Sequence, residues 1–163
     1  MNIFEILGPT MVGPSSSHTA GAVRIGLVTR KILGGVPVSA EIGLHGSFAA
    51  TGIGHGTDRA LLAGLLGMEP DDMRIPDSMR LARDFGLSYH FSSVSLRNAH
   101  PNTALLTVKN AEGGTVKVQA SSLGGGRIMV NKLNDITVNF TGEKPTLIVQ
   151  NIDEPGHLAE IAY

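Results

Sequence analysis

The apolar positions change their period along the chain. Between residues 19 and 33, Val23, Leu27, Ile32 and Leu33 approximate helical spacing, which predicts one helix with Ser17 as N-cap and Gly34 as its C′ stop. Residues 36–44 alternate, with Val38, Ala40, Ile42 and Leu44 facing one way and Ser39 and Glu41 between them, and this is strand period. A glycine-rich stretch, 45–56, reads as a loop leading into a second helix over 57–66, with Thr57 as N-cap, Asp58 in the first turn and Gly67 as stop. Residues 68–76 are turn material, and 77–85 predict a third short helix ended by Gly86. Strand character follows at 87–96, 103–109 and 115–121, the last two joined as a hairpin across 110–114, and again at 127–133 and 136–140. Ahead of the first helix, 2–7 is a short apolar element, and Gly8, Pro9, Gly13 and Pro14 keep the next loop out of regular structure. Helices early and antiparallel strands late predict an α+β fold, a two-layer sandwich with helices on one face of a mixed sheet. After Pro145 the pattern resets, with a strand at 146–150, a turn at 153–156 and the opening of a helix at 157–163. A strand and half a helix close no core, so 145–163 read as the start of a second domain.

Composition narrows the function. The chain has 163 residues, room for one domain of ordinary size that buries roughly 68–70% of its unfolded surface. It has no cysteine, which rules out disulfides and thiolate-held metals within the chain. Thirteen Lys+Arg against 14 Asp+Glu and 4% aromatic residues give neither a basic excess for phosphates nor a stacking platform, and so argue against nucleic acid. Apolar runs are short and broken by Gly or Arg, so no membrane span is expected. Residues 1–7 carry Glu5 and lack a basic leader and a cleavage site, which points to a cytoplasmic protein.

Two glycine patterns fail as nucleotide sites. Residues 8–13 have the opening spacing of a phosphate loop, with Pro14 where its lysine belongs, and 52–56 have the wrong spacing for a dinucleotide fingerprint. More distinctive is Gly13-Pro14-Ser15-Ser16-Ser17-His18-Thr19 ahead of a helix. Hydroxyls and an imidazole gather there where helix N–H groups are unpaired, an anion site suited to a carboxylate; the plainer alternative is a solvated serine loop with one N-cap. A protonated His18 is disfavoured at that end, so a neutral, hydrogen-bonded ring is expected. His45 and His55 flank the glycine-rich stretch, and Asp58, three residues past His55, is either the support of a base or a structural carboxylate at a helix start. His100-Pro101-Asn102 lies between strands, where Pro101 holds two polar side chains at a sheet end or simply makes a turn. His90, between Tyr89 and Phe91, reads as a surface residue, and His157 falls in the tail. His18, His45, His55, His100 and Asp58 offer ligands for zinc or ferrous iron but show none of the i, i+4 spacings of a metal site, and none is assigned to a metal.

The serine-rich motif, Gly54-His55-Gly56-Thr57-Asp58, His100-Pro101-Asn102 and Gly124-Gly125-Gly126, in this order, resemble the β-domain of iron–sulfur-dependent L-serine dehydratases over residues 1 to about 141. The tail resembles the first strand and helix start of an ACT domain, giving a β-domain at 1–144 and a linker with a truncated ACT domain at 145–163. That β-domain is also similar to the allosteric substrate-binding domain of some D-3-phosphoglycerate dehydrogenases, which implies an α-β-α-β-β-β core. The resemblance implies a carbon–nitrogen lyase of serine catabolism that deaminates L-serine to pyruvate and ammonia, a step that can feed gluconeogenesis. In the family a 4Fe–4S cluster with one open iron acts as a Lewis acid on the substrate hydroxyl while a base removes the α-proton. With no cysteine here, that cluster would sit in a separate, cysteine-bearing α-chain, and this chain alone would be inactive. By the same resemblance Ser15, Ser16, Ser17, His18 and Thr19 would hold the substrate carboxylate or lie against the cluster. His55 with Asp58 would be one acid/base candidate and His100 with Asn102 a second. The resemblance allows a homodimer. The rival function is a regulatory module that binds serine or a similar small acid and needs no proton acceptor.

Overall fold

The computed structural model describes residues 10–149, 154–157 and 159. Strands β1 (Pro37–Gly46), β2 (Ser88–Ser93), β3 (Asn102–Asn110), β4 (Thr115–Gly124), β5 (Arg127–Leu133) and β6 (Ile136–Phe140) form one mixed sheet in the order β2-β1-β3-β4-β5-β6. Only the β1–β2 pair is parallel, and its crossover carries three of the four α-helices, the first helix preceding β1. Helices α1 (Ala22–Leu33), α2 (Ser47–His55), α3 (Thr57–Leu65) and α4 (Ser78–Asp84) complete the described elements. Ala40, Ile42 and Leu44 of β1, Ala104, Leu106 and Val108 of β3, and Val116, Val118 and Ala120 of β4 bury one sheet face under α1 and α3. Each fully buried Val, Leu or Ile contributes about 1.5–3 kcal/mol, so this layer, which includes Val23, Ile25, Leu61, Leu62 and Leu65 of the helices, dominates stability. The result is the α+β two-layer sandwich, with two helices and two strands beyond the six-element core. No described helix is long and apolar enough to cross a membrane.

Helices α1 and α3 touch backbone to backbone at Gly26 and Gly64. A Cβ on Gly64 would overlap Val23 O and stand 2.7 Å from Leu27 N, and one on Gly26 would overlap Leu61 O and stand 2.8 Å from Leu65 N. Only glycine permits this approach.

Several sequence expectations change. The first helix starts earlier, as a π-helical segment, Ser16–Gly21, and its N-cap is Ser15, whose Oγ accepts from His18 N–H at 3.2 Å, not Ser17. Val38 is 38% exposed because the register shifts between Pro37 and Ser39 and breaks the alternation. The 45–56 stretch is no loop: it is the end of β1 and all of α2. Thr57 is not an N-cap; Gly56 holds that place at φ 71°. Strand β2 ends at Ser93, after which Val94 N–H donates to Leu44 O at 2.9 Å and the chain folds onto β1. Residues 146–149 carry no strand, while the turn near 156 is present, with His157 N–H on Glu154 O at 3.2 Å. The apolar element expected at 2–7 and most of the helix opening at 157–163 lie outside the described residues.

Candidate active site

The site is organised by α2. Gly46, at φ 57°, turns the chain out of β1, and a side chain there would strike the Pro101 backbone at 2.6 Å. Pro101 O in turn accepts from Ser47 N–H at 2.8 Å and caps the helix. His100-Pro101-Asn102 is thereby tied to the start of α2: His100 Nδ1 accepts from Asn102 N–H at 3.1 Å, and Asn102 pairs with Gly46 across the sheet. Ser47, Thr51 and His55 stand at i, i+4 and i+8 and so share one face of α2.

That face meets His18, which is buried. Thr51 Oγ1 donates its one proton to Ser47 O at 2.9 Å, so it accepts from His18 Nε2–H at 3.1 Å. Nδ1 is then the bare nitrogen and accepts from Ser17 Oγ at 3.1 Å, with Ser15 Oγ 3.3 Å further along. Ser47 Oγ also lies 3.3 Å from Nε2. Burial, reinforced by His55 alongside, lowers the His18 pKa below its usual 6.5 despite an opposing hydrogen bond at Ser47. The ring is neutral at physiological pH, as its place at a helix start requires. The His18 ring lies edge-on to Phe48 with centroids 5.2 Å apart, and the exposed His55 ring is 5.1 Å from it on the other side.

The other expected residues divide between the surroundings of this pair and other parts of the fold. Ser16 Oγ accepts from Gly125 N–H at 3.3 Å, and Arg24 donates to Gly126 O at 2.9 Å, so the 124–126 turn closes on the serine loop. Thr19 is 2% exposed and its hydroxyl has no hydrogen-bond partner. Asp58 does not brace His55: its Oδ1 accepts from Arg59 N–H at 2.8 Å, the structural use of a carboxylate in a first helical turn. His100 is exposed and sits at the opposite end of α2 from His55, about 12 Å away along a helix rising 1.5 Å per residue. His45 leaves the site, accepting at Nδ1 from Leu96 N–H at 3.2 Å and pinning the chain after β2. Among the described residues no three His, Cys, Asp or Glu gather as a metal site, and with no cysteine in the chain the donors for an iron–sulfur cluster are not here.

Beside His55 opens a cavity of about 180 Å³ whose walls include Val12, Thr19, Gly54, Gly56 and Arg59. A larger groove of about 640 Å³, between α1 and the chain after β6, is lined by Val28, Ile32, Phe140 and Pro145 and carries none of the four motifs. Ser47 and Thr51 were not legible as site residues because 45–56 reads as a loop; the i, i+4, i+8 recurrence of Ser47, Thr51 and His55 is the signal that points to them, whereas Arg59 reads as an ordinary charged residue of the second helix.

Known proteins are similar to this chain along most of its length. The profile of the family described as serine dehydratase beta chain matches residues 1–85, which include both the serine-rich loop and the 54–58 motif. The L-serine dehydratase beta chain of Peptoniphilus asaccharolyticus is 44% identical over 160 residues, covering 98% of this chain and 72% of that protein. The probable L-serine dehydratase beta chain of Bacillus subtilis (strain 168) is 40% identical over 161 residues, covering 99% and 73%. L-serine dehydratase 1 of Escherichia coli (strain K12) is 28% identical over 179 residues, spanning 90% of this chain and 38% of that longer protein. A family profile over half of the chain and two relatives matched along nearly all of it make this chain a member of the serine dehydratase beta chain family.

Proposed function

We propose that this chain forms one wall of the substrate site of a two-chain L-serine dehydratase that releases pyruvate and ammonia, beside a 4Fe–4S cluster held by a cysteine-bearing α-chain. The observation that carries the proposal is the exposed His55 imidazole in tilted contact with a buried, neutral His18 beside a small cavity. The cluster supplies Lewis-acid chemistry at the substrate hydroxyl when the partner is bound. What this chain does is hold and move protons. His55 takes the Cα proton as the β-hydroxyl departs as water, leaving an enamine that tautomerises to an imine and hydrolyses to pyruvate and ammonia. His18 cannot take that proton readily, because its bare Nδ1 faces Ser17 and its environment disfavours the cation; its neutral ring supports His55 without competing for the charge. Residues 145–163 belong, in this proposal, to an ACT domain that follows the β-domain.

Co-expression with a cysteine-bearing α-chain and an anaerobic pyruvate assay test the reading. This chain alone is expected to stay colourless and inactive, and the pair to be brown and active. His55→Ala should keep colour and pairing and lose about 10²–10⁴ in turnover, while His90→Ala behaves as the parent. Normal turnover in His55→Ala with loss in His100→Ala moves the base to His100. Activity in both leaves the serine-binding regulatory function as the better account of the domain.

A further inference from the structure

We infer that Arg59 binds the carboxylate of the amino-acid substrate and so sets this chain's preference for an α-carboxylate; the inference rests on the catalytic reading of the same site. Apart from the histidine, Arg59 is the one side chain bordering the cavity that can carry a positive charge. It is exposed, and no described residue pairs with its guanidinium. The adjacent carboxylate, Asp58, is turned to the Arg59 backbone N–H at 2.8 Å.

The backbone that carries this cation is fixed. Arg59 O accepts from the Oγ of the fully buried Ser78 at 2.8 Å, which locks the first turn of α3 to the start of α4. Gly56, at φ 71°, breaks the helix between His55 and Arg59, so the two side chains leave different helices and border one cavity. Gly54 and Gly56 put no side chain in the way, and a Cβ at either would meet nothing within 4 Å. Thr19 also borders the cavity, with its hydroxyl buried behind Gly13 and without a hydrogen-bond partner.

Size and charge then select the ligand. A volume of about 180 Å³ gives room for a small molecule such as a three-carbon amino acid. A guanidinium grips a carboxylate through two parallel N–H···O bonds and thereby fixes its orientation, which a lone ammonium does not do. Held there, the carboxylate leaves the adjacent Cα–H free to turn toward His55.

The test uses the reconstituted two-chain enzyme. Arg59→Gln should raise KM for L-serine about 10–100-fold with kcat within about threefold of the parent, and Arg59→Lys should recover part of the loss. Inhibition by L-alanine, which keeps the carboxylate, should weaken in parallel, while inhibition by L-serinamide, which lacks it, should be unchanged. Circular dichroism and co-elution with the α-chain show that the variant folds and pairs. An unchanged KM, a loss confined to kcat, or equal weakening of both inhibitors overturns the assignment. Failure of the parent pair to make pyruvate overturns the catalytic reading instead, so the two failures are distinguishable.

Discussion

At the scale of single residues, His18 shows how a polar group earns a buried place. Both ring nitrogens have hydroxyl partners, and the cost of desolvation falls only on the protonated form. Because its pKa is lowered in the folded state, the native protein binds fewer protons than the unfolded chain below pH 6.5. The stability His18 contributes is therefore present above that pH and is lost as acid is added. Urea midpoints measured between pH 7.5 and 5.5 should fall, and His18→Gln, which keeps a donor and an acceptor without titrating, should flatten that part of the slope. His18→Leu removes the ring partner of the half-buried Ser17 hydroxyl and of the exposed Thr51 hydroxyl and should lower the urea midpoint at neutral pH. The neutral state of this ring was legible from its position at a helix start, but its partners were not. Ser47 and Thr51 lie about thirty residues away in sequence, and only the fold brings them to Nε2.

At the scale of elements, the strands announced themselves and α2 did not. Alternation located the hairpin of β3 and β4, because one face of each strand is buried and the other is open. In and beside α2 the glycines at 52 and 54, and at 46 and 56 on its flanks, outweigh any helical pattern, yet tertiary contacts override the propensity: Pro101 caps the start and Phe48 is fully buried. Glycine has the opposite meaning at the crossing of α1 and α3. Alanine for Gly64 gains about 1 kcal/mol in helix propensity, but its methyl overlaps Val23 O, and overpacking costs about 1–3 kcal/mol. Gly64→Ala should therefore lower the denaturant midpoint; an unchanged or higher midpoint would mean that the helices can part without penalty.

At the scale of the whole molecule, the segment after Pro145 stands apart from the core. Leu147 is 85% exposed, and Ile148 and Val149 are more than two-fifths exposed. Deleting residues 146–163 should shift Tm by no more than about 2–4 °C. A larger fall would show that this segment packs into the groove beside Val28, Ile32 and Phe140 as part of the first core.

The serine loop meets the rest of the fold in a way that concerns durability. Its entry is tied down by Val12 N–H on Pro70 O at 2.8 Å, and Ser16 Oγ accepts from Gly125 N–H, 109 residues away, at 3.3 Å. Sheet and helices are held by a continuous apolar layer; residues 13–17, ahead of the buried His18–Gly21 segment, are held by polar ties at a partly exposed rim. Regions with so few buried contacts open well below the temperature at which a core melts. Under the proposed function, activity of the two-chain enzyme on warming should decay while the far-UV spectrum is still native; coincident loss of both would show that loop and core open as a single unit.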